Sequence, residues 1–182
     1  MVKNDGSCTN EEAFWKSFEK VYGEKVYNDK PVFDDFYKVE FQNAKSDCGF
    51  NPIVKDTVAE IKNMGYRTAL ATNPIFPAVA TESRIRWAGL NPEDFEMYTT
   101  YENSTHCKPN PEYYKDVLKA INCNAEDCLM VGNNVDEDMI AETLGMKVFL
   151  VTDCLINEKN KDISVYPNGS FLELMKFIKE MQ

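Results

Sequence analysis

The chain has six cysteines, but no two are spaced Cys-x-x-Cys, and His106 is its single histidine. That poverty of metal-binding pairs argues against a structural zinc module and a disulfide framework, so Cys8, Cys48, Cys107, Cys123, Cys128 and Cys154 are read as reduced thiols. Positive charge is also scarce. With 20 Lys and Arg against 30 Asp and Glu, the formal net charge is −10, the wrong sign for a surface that grips backbone phosphates, and nucleic acid is excluded as the expected partner. Apolar runs such as "KVFLVT" are far shorter than the ~20 residues that cross a bilayer. The opening "MVKNDGSCTNEE" has no apolar signal region. Both absences lead to an expectation of a cytoplasmic protein with no membrane partner. Neither G-x-G-x-x-G nor G-x-x-x-x-G-K-[ST] occurs, so the usual nucleotide loops are missing too.

What the chain does have is core material: 43% of its 182 residues are hydrophobic, with eleven Phe and nine Tyr, more than a solvated coil tolerates. One domain with a small appended part is the expected size class. In "CTNEEAFWKSFEKVYG", Thr9 and Glu12 have capping-box spacing, and Phe14, Trp15, Phe18, Val21 and Tyr22 recur at helical spacing up to a Gly23 stop. A second amphipathic helix is expected in "PVFDDFYKVEFQ", beginning near Pro31. Beyond "CGFNP" the pattern changes to alternation. Helix "IVKDTVAEIKNM" precedes a strand in "YRTALAT" ending at Thr72. Helix "AVATESRIRWAGL" precedes a weaker strand in "FEMYTT", and helix "NPEYYKDVLKAI" precedes strand "CLMV". Helix "DEDMIAETL" up to Gly145, strand "KVFLVT" and a last helix in "GSFLELMKFIKEM" complete the series. Such alternation specifies a three-layer, mostly parallel, Rossmann-like α/β sheet.

Ligands of these sheets sit outside the carboxyl ends of the strands, so the polar residues there carry the chemistry. Thr72 and Asn73 offer a hydroxyl, an amide and backbone N–H groups to an oxyanion, although an ordinary turn uses the same residue types. Lys108, in "CKPNPEYY", is a compact cation with two prolines, Pro109 and Pro111, close after it to restrict its backbone. In "VGNNVDEDM" the acids Asp136, Glu137 and Asp138 suit either the first turn of a helix or an oxygen site for Mg²⁺. His106 has no partner arrangement for a nucleophilic triad.

In this order, "ATN" after a strand, then "KPNPEYY", then "VGNNVDEDM" resemble motifs two, three and four of the haloacid dehalogenase-like hydrolases. The resemblance covers about residues 50–155. It implies an α/β core over 51–182 and a partial α-helical cap over 1–50. It further implies hydrolysis of a small phosphorylated metabolite through an aspartyl-phosphate, with Mg²⁺ as cofactor. Carried over by position, Thr72 is the phosphate-binding hydroxyl, Asn73 its neighbour, and Lys108 the catalytic and phosphate-binding cation. Asp138, with Asn133 or Asn134 where the family has an earlier acid, is the expected metal set. An amide there keeps an oxygen but loses a charge, which Asp136 could offset.

The family's nucleophile strand, ending D-x-D-G-[TV], is absent from these residues, and the only D-x-D is Asp136-Glu137-Asp138. The resemblance therefore implies that Met1 falls inside the cap and that the chain alone is inactive. It also implies a sheet without its central strand, whose edges would close, borrow a strand or exchange one within a homo-oligomer. The alternative is a non-catalytic relic or a phosphate- or partner-binding module on the same fold.

Overall fold

The computed structural model describes residues 3–181. The chain divides into two compact units, Met1–Cys107 and Lys108–Gln182.

In the first unit, α1 (Asn10–Tyr22) begins with the expected capping box: Thr9 Oγ1 accepts the Glu12 N–H at 3.2 Å, and Glu12 Oε2 accepts the Thr9 N–H at 3.1 Å. It stops at Gly23, whose φ of 84° suits a residue without Cβ. Its apolar stripe enters an aromatic cluster in which Phe14, Trp15 and Phe18 all meet Phe33. Phe33 comes from α2 (Lys30–Lys38), which is shorter than its periodicity predicts, because residues 40–47 wind as 3-10 helix. One cause is local: the Gln42 side chain donates to the Tyr37 carbonyl at 2.9 Å, taking an acceptor that a longer α-helix would use.

Next come α3 (Ile53–Asn63), β1 (Ala69–Leu70), α4 (Ala78–Trp87) and β2 (Met97–Tyr98). Strand β1 pairs with β2 in parallel, Ala69 opposite Met97 and Leu70 opposite Tyr98. The strand expected to reach Thr72 thus ends at Leu70. Beyond it Thr99 takes over, its N–H donating to the Leu70 carbonyl at 3.1 Å and its hydroxyl to the Thr72 carbonyl at 2.7 Å.

The second unit holds α5 (Pro111–Ile121), β3 (Leu129–Gly132), β4 (Lys147–Val151), β5 (Asn168–Gly169) and α6 (Phe171–Glu180). The strand order is β3-β4-β5, and both ladders are parallel. Two-residue β5 has no periodicity to announce it. The helix expected from Asp136 is replaced by a turn and a 3-10 helix at Met139–Leu144. The Asn134 amide oxygen accepts the N–H groups of Asp136 and Glu137, at 3.0 and 3.1 Å, and closes that turn. The strand whose end approaches Thr72 is thus laddered to β2, and the one ending at Gly132 to β4. Every ladder being parallel, with helices between strands, the α/β fold stands as read.

Val148, Phe149, Leu150 and Val151 are all at most 4% exposed, so β4 is the buried centre of its unit, with Leu174 and Ile178 of α6 in the same core. Truncating Leu150 to Ala should cost about 2–5 kcal/mol of stability, because a close-packed core collapses only partly around a lost side chain. Urea unfolding of the variant against the parent measures this.

Candidate active site

Lys108 is 5% exposed, as is Asp138, and the Lys108 ammonium donates to Asp138 Oδ1 at 2.6 Å. Removing both charges from water costs several kcal/mol per ion unless their remaining valences are met. Here they are met. Asp138 Oδ2 accepts the backbone N–H groups of Asn133 and Asn134, each at 2.9 Å. The Lys108 ammonium lies 5.8 and 5.7 Å from the ring centroids of Tyr113 and Tyr114, within cation–π range.

Local sequence explains how these groups meet. Asn110 caps α5 by accepting the Glu112 N–H at 3.0 Å, which places the two tyrosines in the first turn, just beyond Lys108. Gly132 ends β3 because a Cβ there would stand 2.3 Å from Asp138 Oδ2 and 2.4 Å from its Cγ. Only a bare backbone lets the carboxylate approach. The Tyr114 hydroxyl donates to the Glu137 carbonyl at 2.6 Å, bracing the peptide before Asp138. Burial, and next the Asp138 charge, push the Tyr114 phenol well above its ordinary pKa, so it stays a donor.

A third segment backs the turn. The Ile156 N–H donates to the Asn133 carbonyl at 2.8 Å, the Val135 N–H to the Ile156 carbonyl at 3.0 Å, and Asn133 Nδ2 to the Cys154 carbonyl at 2.7 Å. Asp136 faces Lys161 at 2.5 Å and Lys159 at 3.2 Å. Their hydrogen bonds, Lys161 first, hold its carboxyl below the usual aspartate range.

The structure thus brings Lys108, Asp138 and the backbone of Asn133 and Asn134 together. Thr72 and Asn73 lie in the first unit, on the turn after β1, where the Ile75 N–H closes onto the Asn73 carbonyl at 2.9 Å. Tyr113 and Tyr114 were visible in the sequence only as a doublet after the prolines, with no sign that both would flank a cation. Lys159 and Lys161 had no signal at all.

The expected metal set can be tested on its donors. Asp138 already serves Lys108 and two backbone N–H groups, the Asn134 oxygen holds its own turn, and Asp136 is held by lysines. Among the described residues no group of three or more His, Cys, Asp or Glu side chains is placed to hold a metal ion. Mg²⁺ requires near-octahedral oxygens and is usually held by one or two carboxylates, and on Asp138 it would compete with an ammonium. By themselves these residues do not fit it.

Residues 7–141, which include Thr72, Asn73, Lys108, Asn133, Asn134 and Asp138, match the profile of the haloacid dehalogenase-like hydrolases. The chain belongs to that family. Pyrophosphatase PpaX of Bacillus cereus is 29% identical over 99 residues, 54% of this chain and 44% of that protein. The chain's match therefore spans about half the length of such curated relatives. Among solved structures, CbbY of Rhodobacter sphaeroides, in complex with phosphate, superposes with a TM-score of 0.59 at 20% identity, over 74% of this chain and 60% of that one. A haloacid dehalogenase-like hydrolase of Bacteroides fragilis gives 0.59 at 19% identity, over 96% of this chain and 80% of its own. At such identities the likeness establishes the family's fold.

Asp138→Asn should destabilise the protein by about 3–5 kcal/mol, since it strands the Lys108 charge in the interior, and the double variant with Lys108→Met should recover part of that loss. A double-mutant cycle by urea unfolding reads both. Gly132→Ala should be destabilising by more than about 1 kcal/mol, because the added carbon overlaps the Asp138 carboxylate.

Proposed function

We propose that this chain carries the phosphate-holding part of a haloacid dehalogenase-like phosphohydrolase that acts on a small phosphorylated metabolite. The observation that supports it most is the buried Lys108–Asp138 pair at 2.6 Å, beside the carboxyl end of a parallel strand. In this reading Lys108 supplies the cation for a phosphoryl group, as a compact point charge in surroundings of low dielectric. Thr72 and Asn73 supply hydroxyl and amide donors. Residues 1–50 act as the partial cap, and their aromatic cluster of Phe14, Trp15, Phe18 and Phe33 gives that segment a core of its own.

Displacement at phosphorus through a covalent intermediate needs a carboxylate free to attack. The only D-x-D of this chain does not provide one, since Asp136 is held by Lys159 and Lys161, and Asp138 by Lys108. We therefore read the chain alone as binding phosphate without cleaving its esters. Phosphatases of this family generally use Mg²⁺. The neutral Asn133 and Asn134 leave such an ion weaker support here than acids would.

Incubation with an aryl phosphate and Mg²⁺ should release phenol no faster than buffer, while inorganic phosphate should perturb the amide resonances next to Lys108 in a saturable way. Turnover abolished by Lys108→Ala would overturn the inactive reading. Phosphate titration curves unchanged by Lys108→Met would remove the lysine from the site.

A further inference from the structure

Asn10 belongs to none of the motifs above, yet it is 0% exposed. Burying a primary amide is costly unless both of its ends are paired. Asn10 Nδ2 donates to the carbonyls of Pro74 and His106, each at 3.2 Å, and its Oδ1 accepts from Asn4 Nδ2 at 2.9 Å. Its backbone N–H donates to the Ser104 carbonyl, and the next N–H, of Glu11, to that of Tyr101, both at 2.8 Å. One residue therefore ties the segment before α1 to the turn after β1 and to the loop after β2.

None of these side-chain bonds serves its own helix, whose first turn is already satisfied by the Thr9–Glu12 capping box. Two carbonyl oxygens converge on one nitrogen, which demands two N–H donors on the same atom. A carboxylate of the same shape would set oxygen against oxygen. Lysine or arginine could supply the donors but would bring an unpaired charge to a position closed to water.

We infer that Asn10 is a positioning residue for the Thr72–Asn73–Pro74 turn: by holding the Pro74 carbonyl, it orients the peptides that present the donors of Thr72 and Asn73. The inference rests on the reading of those two residues as phosphate ligands. It assigns to the start of the cap segment a part in shaping the phosphate-binding turn.

The test uses the full chain, ¹⁵N-labelled and titrated with inorganic phosphate, as parent, Asn10→Asp, Asn10→Ser and Ile85→Ala. Ile85, 4% exposed on α4, serves as a destabilising control. In Asn10→Asp, phosphate affinity read at the Thr72 and Asn73 amides should fall about tenfold, the scale of lost buried hydrogen bonds. Hydrogen exchange of the Ile75 amide should quicken. Asn10→Ser, which keeps one donor, should fall between. Ile85→Ala should lower the melting temperature without moving either signal. Parent-like affinity and Ile75 exchange in Asn10→Asp, or equal changes in Ile85→Ala, would overturn the assignment. If the parent's Thr72 and Asn73 amides ignore phosphate, the ligand reading fails, and Ile75 exchange alone still decides whether Asn10 holds the turn.

Discussion

An ammonium and a carboxylate, each 5% exposed and 2.6 Å apart, set the conditions that the second unit has to meet. Such a pair persists in an interior only if its other valences are satisfied, and the surrounding sequence reads as a list of those conditions. Strand β3 ends in a residue without Cβ so that Asp138 can close in. The next two peptides turn their N–H groups onto its second oxygen. Helix α5 opens with two tyrosines whose faces attend the cation, and one of them braces the peptide before the anion. The 3-10 winding at Met139–Leu144 comes directly after the same turn, which Asn134 closes by accepting the Asp136 and Glu137 N–H groups.

This arrangement bears on chemistry. A lysine already balanced by a carboxylate offers an incoming dianion less attraction than a lone lysine, but it is held in place before the dianion arrives, with no ordering left to do. The same carboxylate is withdrawn from metal binding by its lysine and by two N–H groups. Lys108 and Asp138 thus form an ion pair, to which Asn133 and Asn134 contribute through their backbone N–H groups and through the Asn134 turn.

Much of the fold was legible because helices advertise themselves locally. The Thr9–Glu12 box and the Gly23 and Gly145 stops stand where residue type and spacing put them. Strands were legible as apolar runs but not in their bounds: β1 gives way to Thr99 side-chain and backbone contacts at Leu70, and β5 is too short to have a period. Helix α2 ran short because Gln42 competes for a helix carbonyl, a contact that periodicity does not register. At the candidate site, the order of "ATN", "KPNPEYY" and "VGNNVDEDM" marked Lys108 and Asp138 as functional. It carried no sign that the two would meet each other.

The sequence by itself determined the alternation of helix and strand, the family, and which loops carry polar residues, because each of these depends on neighbours within a turn or two. Tertiary structure alone decided that Asp138 answers Lys108, thirty residues away, and that Asn10 reaches Pro74 and His106, 64 and 96 residues away. A buried polar group takes whichever partner the fold delivers to it. That choice is governed by geometry and desolvation, which residue spacing along the chain does not encode.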